Sequence, residues 1–314
     1  MHRAHIFATI TFLIAIVGFA VRFMPVRSHA VLLTAVGSPY LTICAAVLAL
    51  PLLFTGRKWA AVPTLVLTVV ALLVEVPLFA ADRPAGHSVP IRLLTFNAYQ
   101  GSADPEAMVA AASRSADVFL VQELTPDLAD KLVLGGLEHE FPYRAVDARP
   151  WAHGVGIWSR YPILHSNRIP QYQLGLLTAT VRVPGAAHDV IVATIHLAGP
   201  WPQPIDRWRD EIPILPDTLD ALARTAPGAV IVAGDLNATS DMRSFRRLLQ
   251  TGFKSAVEQS GAGLVRTFPA NLPIPALVGI DHILTLNSSA DAVQTVRIPG
   301  SDHLGMRATV YVPS

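Results

Sequence analysis

The spacing of apolar positions changes character once along the chain. Up to residue 81 the apolar residues form three near-continuous runs. The first, AHIFATITFLIAIVGFAV, lies between Arg3 and Arg22. The second fills the 29 residues between Arg27 and Arg57 without an Asp, Glu, Lys or Arg, and the third extends from Trp59 to Ala81, interrupted only by Glu75. A helix crossing a bilayer needs roughly 20 apolar residues, and hydrocarbon offers its backbone no partners outside the helix itself. The pattern therefore predicts a membrane region over residues 1–81 with three transmembrane helices. A cleaved signal peptide is the competing reading of the first run, but no small-x-small site follows it and two further apolar runs do. Pro39 and Pro51 predict kinks in the second helix. Glu75 reads either as an interfacial carboxylate or as a polar contact, within the bundle or with a substrate head group.

Beyond a linker over 82–90, marked by Asp82, Pro84, Gly86 and Pro90, the runs shorten and alternate with helical stretches. IRLLTFN (91–97), DVFLVQE (117–123), VGIWS (155–159), LLTATVRV (176–183), DVIVATIH (189–196) and AVIVAGD (229–235) are short, apolar and rich in β-branched residues, as buried strands are. IDHILTL (280–286), VQTVRI (293–298) and MRATVYV (306–312) complete the set. Asp104-Pro105 and Thr125-Pro126 are helix starts, with a capping side chain before proline. A proline-broken helical stretch is expected over about 205–224, and another helix starts at Ser240-Asp241. Strands and helices interleave, yet LLTATVRV–PGAA–HDVIVATIH is a hairpin, so residues 91–314 are expected to form one α/β domain with mixed sheets.

Composition sharpens this division. The chain is 52% apolar and 15% charged, and only eight of its 47 charged residues lie in the first 88. The single cysteine, Cys44, excludes a disulfide scaffold and a cysteine-rich zinc module. Three basic residues flank each predicted membrane face (Arg3, Arg57 and Lys58 against Arg22, Arg27 and Arg83), so positive charge hardly decides the orientation. A compact cytoplasmic turn at Arg57–Lys58 would place the C-terminal domain outside.

Several strands end in polar residues. Asn97 closes the first and Glu123 the second; His196 ends the second arm of the hairpin; Asp235 and Asn237 follow AVIVAG; Asp281 and His282 open another strand; and Ser301-Asp302-His303 precedes the last. Sites in α/β sheets form on such rims. Four carboxylates gathered there would repel one another without a cation, and an oxygen-rich set without thiols suits Mg²⁺ or Mn²⁺.

The segments LTFNAYQG, VQEL, GVGIWSRYPI, ATIHL, VAGDLNATSD, GIDHIL and GSDH occur in this order. Together they resemble the endonuclease/exonuclease/phosphatase superfamily, which includes pancreatic deoxyribonuclease, abasic-site endonucleases, neutral sphingomyelinases and inositol-polyphosphate phosphatases. The resemblance covers roughly residues 89–314. It implies a four-layer sandwich of two mixed β-sheets flanked by helices, and metal-dependent hydrolysis of a phosphate ester or anhydride. Under it, Glu123 resembles the main metal ligand, with Asn97 beside it and Asp302 as a second metal-side carboxylate. Asp235 resembles the residue that orients or deprotonates the attacking water, and Asn237 the amide that holds the phosphate. His303 resembles the phosphate-contacting histidine, Asp281 the carboxylate that orients it, and His196 the general acid for the leaving group. His282 should face away from Asp281 and be structural. Arg160 and Tyr161 read as packing or substrate contacts, and Trp201, Arg207 and Arg209 as shaping the approach to the site or lying on a solvated helix face. Gly305 stands where the family often has proline.

The segment after residue 88 holds 18 Lys and Arg against 21 Asp and Glu, with no basic run. A nuclease for duplex DNA normally presents a basic face, so a membrane-tethered nuclease is the second expectation, alongside a phospholipid or sphingomyelin phosphodiesterase. A domain tethered about ten residues from a bilayer meets lipid-linked phosphates at high effective concentration. The layout resembles membrane-anchored bacterial glycopeptide (vancomycin/teicoplanin) resistance proteins, whose domain faces outwards and acts on lipid-carrier phosphate. The expectation is a multi-pass membrane protein with an extracytoplasmic phosphohydrolase domain.

Overall fold

The computed structural model describes residues 2–82 and 86–314; Arg83, Pro84 and Ala85 of the expected linker lie outside the described residues. Two compact units emerge, one of residues 1–77 with Thr239–Arg246, the other of Leu78–Ala238 with Arg247–Ser314.

The first unit contains helices α1 (His2–Ala20), α2 (His29–Val36), α3 (Ser38–Phe54) and α4 (Lys58–Glu75). Two helical segments, His2–Phe23 and Lys58–Phe79, are long and apolar enough to cross a membrane, and the bent pair α2–α3 makes a third if it is one span. The second run is thus broken rather than merely kinked. The helices meet at 62° around Gly37. Pro39 has no N–H and its ring collides with a carbonyl one turn back, so it is tolerated only in the first turn of a new helix; it occupies that turn of α3, while Pro51 stays inside. Small residues line the contacts: Ala8, Ala45, Ala49, Ala60 and Ala61 are fully buried, as expected where helices pack in lipid.

Glu75 takes the second of its two readings. Its Oε1 lies 2.6 Å from Arg22 Nη2, and Arg22 Nη1 lies 2.6 Å from Asp241 Oδ1. Arg246 donates to the carbonyls of Asp241 and Arg22, each at 2.5 Å, and lies over the Phe23 ring. Arg22 is therefore buried in an ion-pair cluster rather than snorkelling to an interface. Burial raises the Asp241 carboxyl to about 6 against the pull of Arg22.

The second unit is built on two six-stranded mixed sheets. Its strands are β1 (Ser88–Asn97), β2 (Val118–Gln122), β3 (Tyr143–Asp147), β4 (Val155–Ser159), β5 (Ile163–Arg168), β6 (Gly175–Val181), β7 (Val190–His196), β8 (Val230–Asp235), β9 (Lys254–Ser255), β10 (Asp281–Leu286), β11 (Ser289–Val296) and β12 (Gly305–Pro313). The orders are β11-β12-β1-β2-β4-β3 and β5-β6-β7-β8-β10-β9. Each sheet has one parallel pair at its centre, β1/β2 and β7/β8, with antiparallel neighbours outside.

β1 starts at Ser88, inside the expected linker. Pro90 is tolerated there because only β12 pairs with that end; β2 joins from Leu93 onward. β3, β5 and β9 were not expected. β3 and β5 alternate weakly and β9 has two residues, so neither shows a clear period.

Alternation along the strands sorts side chains between two cores. Ile91, Leu93, Val118, Leu120 and Ile157 face a shared core with Leu177, Val192, Ile231 and Ile283 of the other sheet. Leu94, Phe96, Phe119 and Val121 point the other way, onto α5 (Pro105–Ser115), α6 (Pro126–Leu134) and α7 (Leu137–Glu140). Asp104 and Thr125 cap α5 and α6 as expected, accepting from Ala107 N and Leu128 N. Beyond the second sheet, α8 (Asp206–Glu211) and α9 (Leu215–Thr225) bury Trp208, Leu215 and Leu219. The helix expected at Ser240-Asp241 begins at Arg243 as α10 (Arg243–Leu249), and α11 (Ala256–Ser260) follows.

Candidate active site

The period of two that places Leu93, Leu120, Val192 and Ala233 in the shared core also places the next inward residues nearer the strand ends. These are Thr95 and Asn97 on β1, Gln122 on β2, Thr194 and His196 on β7, and Asp235 on β8. Because β1/β2 and β7/β8 are parallel, both pairs end together: Asn97 is level with Gln122, and His196 with Asp235. β10 runs antiparallel and begins there, with Asp281 opposite Asp235. One rim between the two sheets thus collects the polar ends of five strands.

Asn97 is at the centre. Its Nδ2 donates to Glu123 Oε1 and Asp235 Oδ2, each at 3.1 Å, and its Oδ1 accepts from Tyr99 N at 3.0 Å. Glu123 sits just past β2 with φ +56°, and Gln100 N donates to its Oε2 at 2.6 Å. A positive φ is costly for a residue with a side chain; here it turns the carboxylate back into the rim. Asn237 has φ +47°, its backbone N donates to Asp235 Oδ1 at 2.8 Å, and its Nδ2 donates to Leu197 O at 2.9 Å. One amide hydrogen of Asn237 remains for a ligand.

His303 Nδ1 donates to Asp281 Oδ2 at 2.8 Å, which leaves Nε2 facing Asp235 Oδ2 at 3.7 Å and Asp302 Oδ1 at 4.0 Å. His196 Nδ1 donates to Ala152 O at 3.2 Å, and Nε2 lies 3.6 Å from Asp235 Oδ2 and 3.7 Å from Glu123 Oε1. All eight residues singled out from the sequence therefore lie on this rim.

A family model for the endonuclease/exonuclease/phosphatase family matches residues 94–303. The chain belongs to this family. Members are phosphoester hydrolases. Solved structures agree on the fold. A humanized D. rerio TDP2 is 19% identical with a TM-score of 0.56, covering 70% of this chain and 98% of that one. A family protein from Leptotrichia buccalis is 14% identical with a TM-score of 0.56, over 70% and 99%. Sphingomyelinase C from Streptomyces griseocarneus is 18% identical with a TM-score of 0.52, over 70% and 99%. No curated protein matches the chain.

Within this family fold the buried site is strongly polarised. Burial raises Asp235 to about 6, against the opposing pull of His303 and His196. His303 moves the other way: burial disfavours its charge, but Asp281 and Asp235 outweigh that and raise it to about 10. Burial also acts against the charge on Asp281, yet the His303 charge and hydrogen bond hold it below the ordinary carboxylate range. Asp302 is raised, chiefly by burial.

The donor set fits a hard divalent cation. Asp281 Oδ1 and Asp302 Oδ1 are buried without a hydrogen-bond partner. Asp235, Asp281 and His303 present candidate ligand atoms within 4.8 Å of one another. This trio differs from the expected set of Glu123, Asn97 and Asp302. The 2.8 Å bond between Asp281 and His303 already engages both residues, so the trio reads as an oriented imidazole beside a base. Glu123, Asn97 and Asp302 stand next to it.

Sequence reasoning missed three contributors, Gln122, Phe268 and Thr267, and named Ser301 without giving it a role. Gln122 Nε2 donates to Thr95 Oγ1 (3.0 Å) and Thr194 Oγ1 (2.8 Å), joining the two sheets beneath the site. Its partners are remote in sequence, so only the inward-facing polar position in an apolar strand hinted at it. Ser301 Oγ donates to Asn97 O and accepts from His303 N, tying the histidine loop to β1. Phe268 packs 5.0 Å from the His303 ring, and Thr267 Oγ1 accepts from Ile280 N at 3.3 Å and Asp281 N at 3.4 Å. No local pattern marked these last two.

The remaining expectations resolve more simply. His282 faces away from the rim, with Nε2 donating to Ala238 O at 2.7 Å, and burial lowers it to about 4. Arg160 is a packing residue: it bonds the carbonyls of Ala116 and Ser113, pairs with Glu140 and lies over Phe141. Tyr161 packs against the shared core. Arg209 pairs with Asp206 on an exposed helix face. Gly305 opens β12, where a Cβ would press on Phe96 and Leu94.

Proposed function

We propose that this chain is a membrane-anchored, divalent-metal-dependent phosphohydrolase, acting on a phosphate ester or pyrophosphate of a lipid-linked, cell-envelope-carrier type of substrate. The observation that carries the reading is the rim itself, with Asp235, His303, His196, Asn237 and Asp281 converging beside Glu123, Asn97 and Asp302 in a chain whose first 81 residues are apolar helices. The ordered motifs from Asn97 to His303 support the site roles, and apolar helices ahead of the domain support a reading like that of membrane-anchored glycopeptide-resistance proteins. The reading puts the hydrolase domain outside the cell, supported only by a compact Arg57–Lys58 turn as the cytoplasmic loop.

Glu123, with Asn97 and Asp302, would hold Mg²⁺ or Mn²⁺. Bound there, such an ion neutralises phosphate charge and polarises the P–O bond. The protein groups do the rest. Asp235, raised to about 6, accepts a proton from the attacking water near neutral pH, where a general base works best. Asp281 fixes His303 as a cation with Nε2 turned inward, so that it grips a phosphoryl oxygen. Asn237 contributes its second amide hydrogen as charge develops on the phosphoryl group. His196, oriented by Nδ1–H on Ala152 O, turns Nε2 towards the departing oxygen and, in its doubly protonated form, passes the Nε2 proton to it.

Nucleic acid is the second reading. A D. rerio TDP2 complexed with single strand DNA product shares the fold at 20% identity and a TM-score of 0.55. The excess of acidic residues after residue 88 weighs against it. The test is phosphate release by the full chain in detergent from undecaprenyl pyrophosphate, phospholipid head groups, sphingomyelin, inositol phosphates and DNA, with and without Mg²⁺. Asp235→Asn should lower turnover of the preferred substrate by at least about two orders of magnitude. Unchanged turnover in that variant refutes the site, and salt-sensitive DNA cleavage as the dominant activity refutes the lipid substrate.

A further inference from the structure

Four loops reach outward from the catalytic residues, and each exposes large apolar side chains. Tyr99 follows Asn97, whose Oδ1 its backbone binds, and is 40% exposed. Trp151 precedes Ala152, the carbonyl that orients His196, and is 71% exposed. Trp201 lies in the loop that begins at Leu197, the carbonyl bound by Asn237, and is 57% exposed. Leu272 and Ile274 lie in the loop anchored by Phe268 against His303 and by Ala270 N on Asp302 O at 2.6 Å, and are 48% and 44% exposed.

Single exposed apolar residues are ordinary. Large apolar and aromatic side chains on four loops around one polar site are not, and such patches mark surfaces that meet something apolar. Their surroundings reinforce this. Residues 98–103, 148–154, 197–205 and 264–279 hold two charged residues between them, Arg149 and Arg266. A rim bathed only in water would be expected to carry more.

The last of these loops also identifies what it meets. Gly263 N donates to Leu78 O at 2.7 Å, and a Cβ on Gly263 would lie 2.9 Å from the Phe79 ring. Leu78 and Phe79 end the apolar segment Lys58–Phe79. Leu264, 52% exposed, is therefore one residue from the point where that segment ends, and the same loop runs on from it to Leu272 and Ile274.

We propose that Tyr99, Trp151, Trp201, Leu264, Leu272 and Ile274 form a lipid-contacting rim that dips into the leaflet around the site. A substrate phosphate then reaches Asp235 and His303 while its acyl or polyprenyl chain stays in the bilayer. Trp and Tyr sit at membrane interfaces for the same reason, with one side apolar and one side polar. The proposal deepens the lipid-phosphate reading and rests on it for the choice of substrate, but not for the contact itself.

Two readouts on the full chain in phosphatidylcholine proteoliposomes separate these. The five tryptophans are Trp59, Trp151, Trp158, Trp201 and Trp208. Trp158 and Trp208 are buried and Trp59 lies in a spanning helix, so W59F/W201F leaves Trp151 as the reporter at the rim. Its emission should be quenched in vesicles with brominated acyl chains relative to plain ones, and W59F/W201F/W151S should lose that quenching. L272S/I274S should lower hydrolysis of a vesicle-embedded lipid phosphate about tenfold, the scale set by partial burial of two such side chains, and leave a water-soluble phosphate ester unaffected. Absence of bromolipid quenching, equal loss on both substrates, or protection of Trp151 only on addition of a protein partner or a second copy overturns the rim. If no phosphoester is hydrolysed at all, the functional reading fails, while the quenching still decides the rim.

Discussion

Asp281→Asn isolates the charge that holds the His303 imidazole. Asn keeps an oxygen where Asp281 Oδ2 accepts from His303 Nδ1 at 2.8 Å, so the ring should keep its place and lose only the neighbouring negative charge. His303 stands at about 10 against an ordinary 6.5, with Asp281 the largest cause raising it. An adjacent opposite charge typically moves a midpoint by one to three pH units, so the variant should titrate about two units lower, near 8. That corresponds to about 3 kcal/mol of lost preference for the imidazolium. A histidine raised in the folded state contributes stability that is complete below its unfolded value of 6.5 and disappears as pH rises through its folded value. Wild type should therefore lose stability gradually from pH 6.5 to about 10, and the variant should complete that loss by about pH 8. The assay is the His303 ring resonance in labelled, EDTA-treated protein, followed from pH 5 to 11, with phosphate release measured in parallel. Turnover should fall by two orders of magnitude or more, in the range of acid–base groups. A His303 midpoint within half a unit of wild type would show that Asp281 does not hold the charge, and the assignment of His303 as a permanent phosphate grip would fall with it.

Other perturbations test separate parts of the structure. His282, lowered to about 4 by burial, is neutral in the fold, so stability is complete above pH 6.5 and falls by up to roughly 3 kcal/mol as the unfolded chain alone takes up a proton down to pH 4; H282Q, which keeps a donor for Ala238 O, should remove that part of the acid sensitivity in thermal melts. Saturating Mg²⁺ should raise the melting temperature by the equivalent of about 2.7 kcal/mol at a hundred times its Kd, and E123Q should abolish the rise. Q122L should cost roughly 2 to 4 kcal/mol in denaturant titrations by leaving the hydroxyls of Thr95 and Thr194 without their shared donor. R22A strands Glu75 and Asp241 and should cost about 3–5 kcal/mol, read as earlier thermal unfolding in detergent.

Local pattern carried much of this protein. Apolar runs of the length of a bilayer marked the two helical segments long and apolar enough to cross one, because a helix in hydrocarbon must satisfy itself and so declares itself by composition alone. The strands that hold the site were equally legible, since β1, β2, β7, β8 and β10 are short apolar runs closed by a polar residue, and the helix caps at Asp104 and Thr125 act through their nearest neighbours. The ordered set from Asn97 to His303 named the family, and its members gather on one rim. What remained hidden depended on partners far away in the chain. β3 and β5 draw their stability from neighbours rather than from their own alternation. Gln122 reaches across 72 residues to Thr194, and Arg22 across 53 to Glu75, a pairing that recast an interfacial carboxylate as part of a buried ion cluster. Hydrophobic period determines which face of an element turns inward, but only the packed sheets determine which inward polar groups meet. That meeting raises Asp235, charges His303 and surrounds both with an apolar rim.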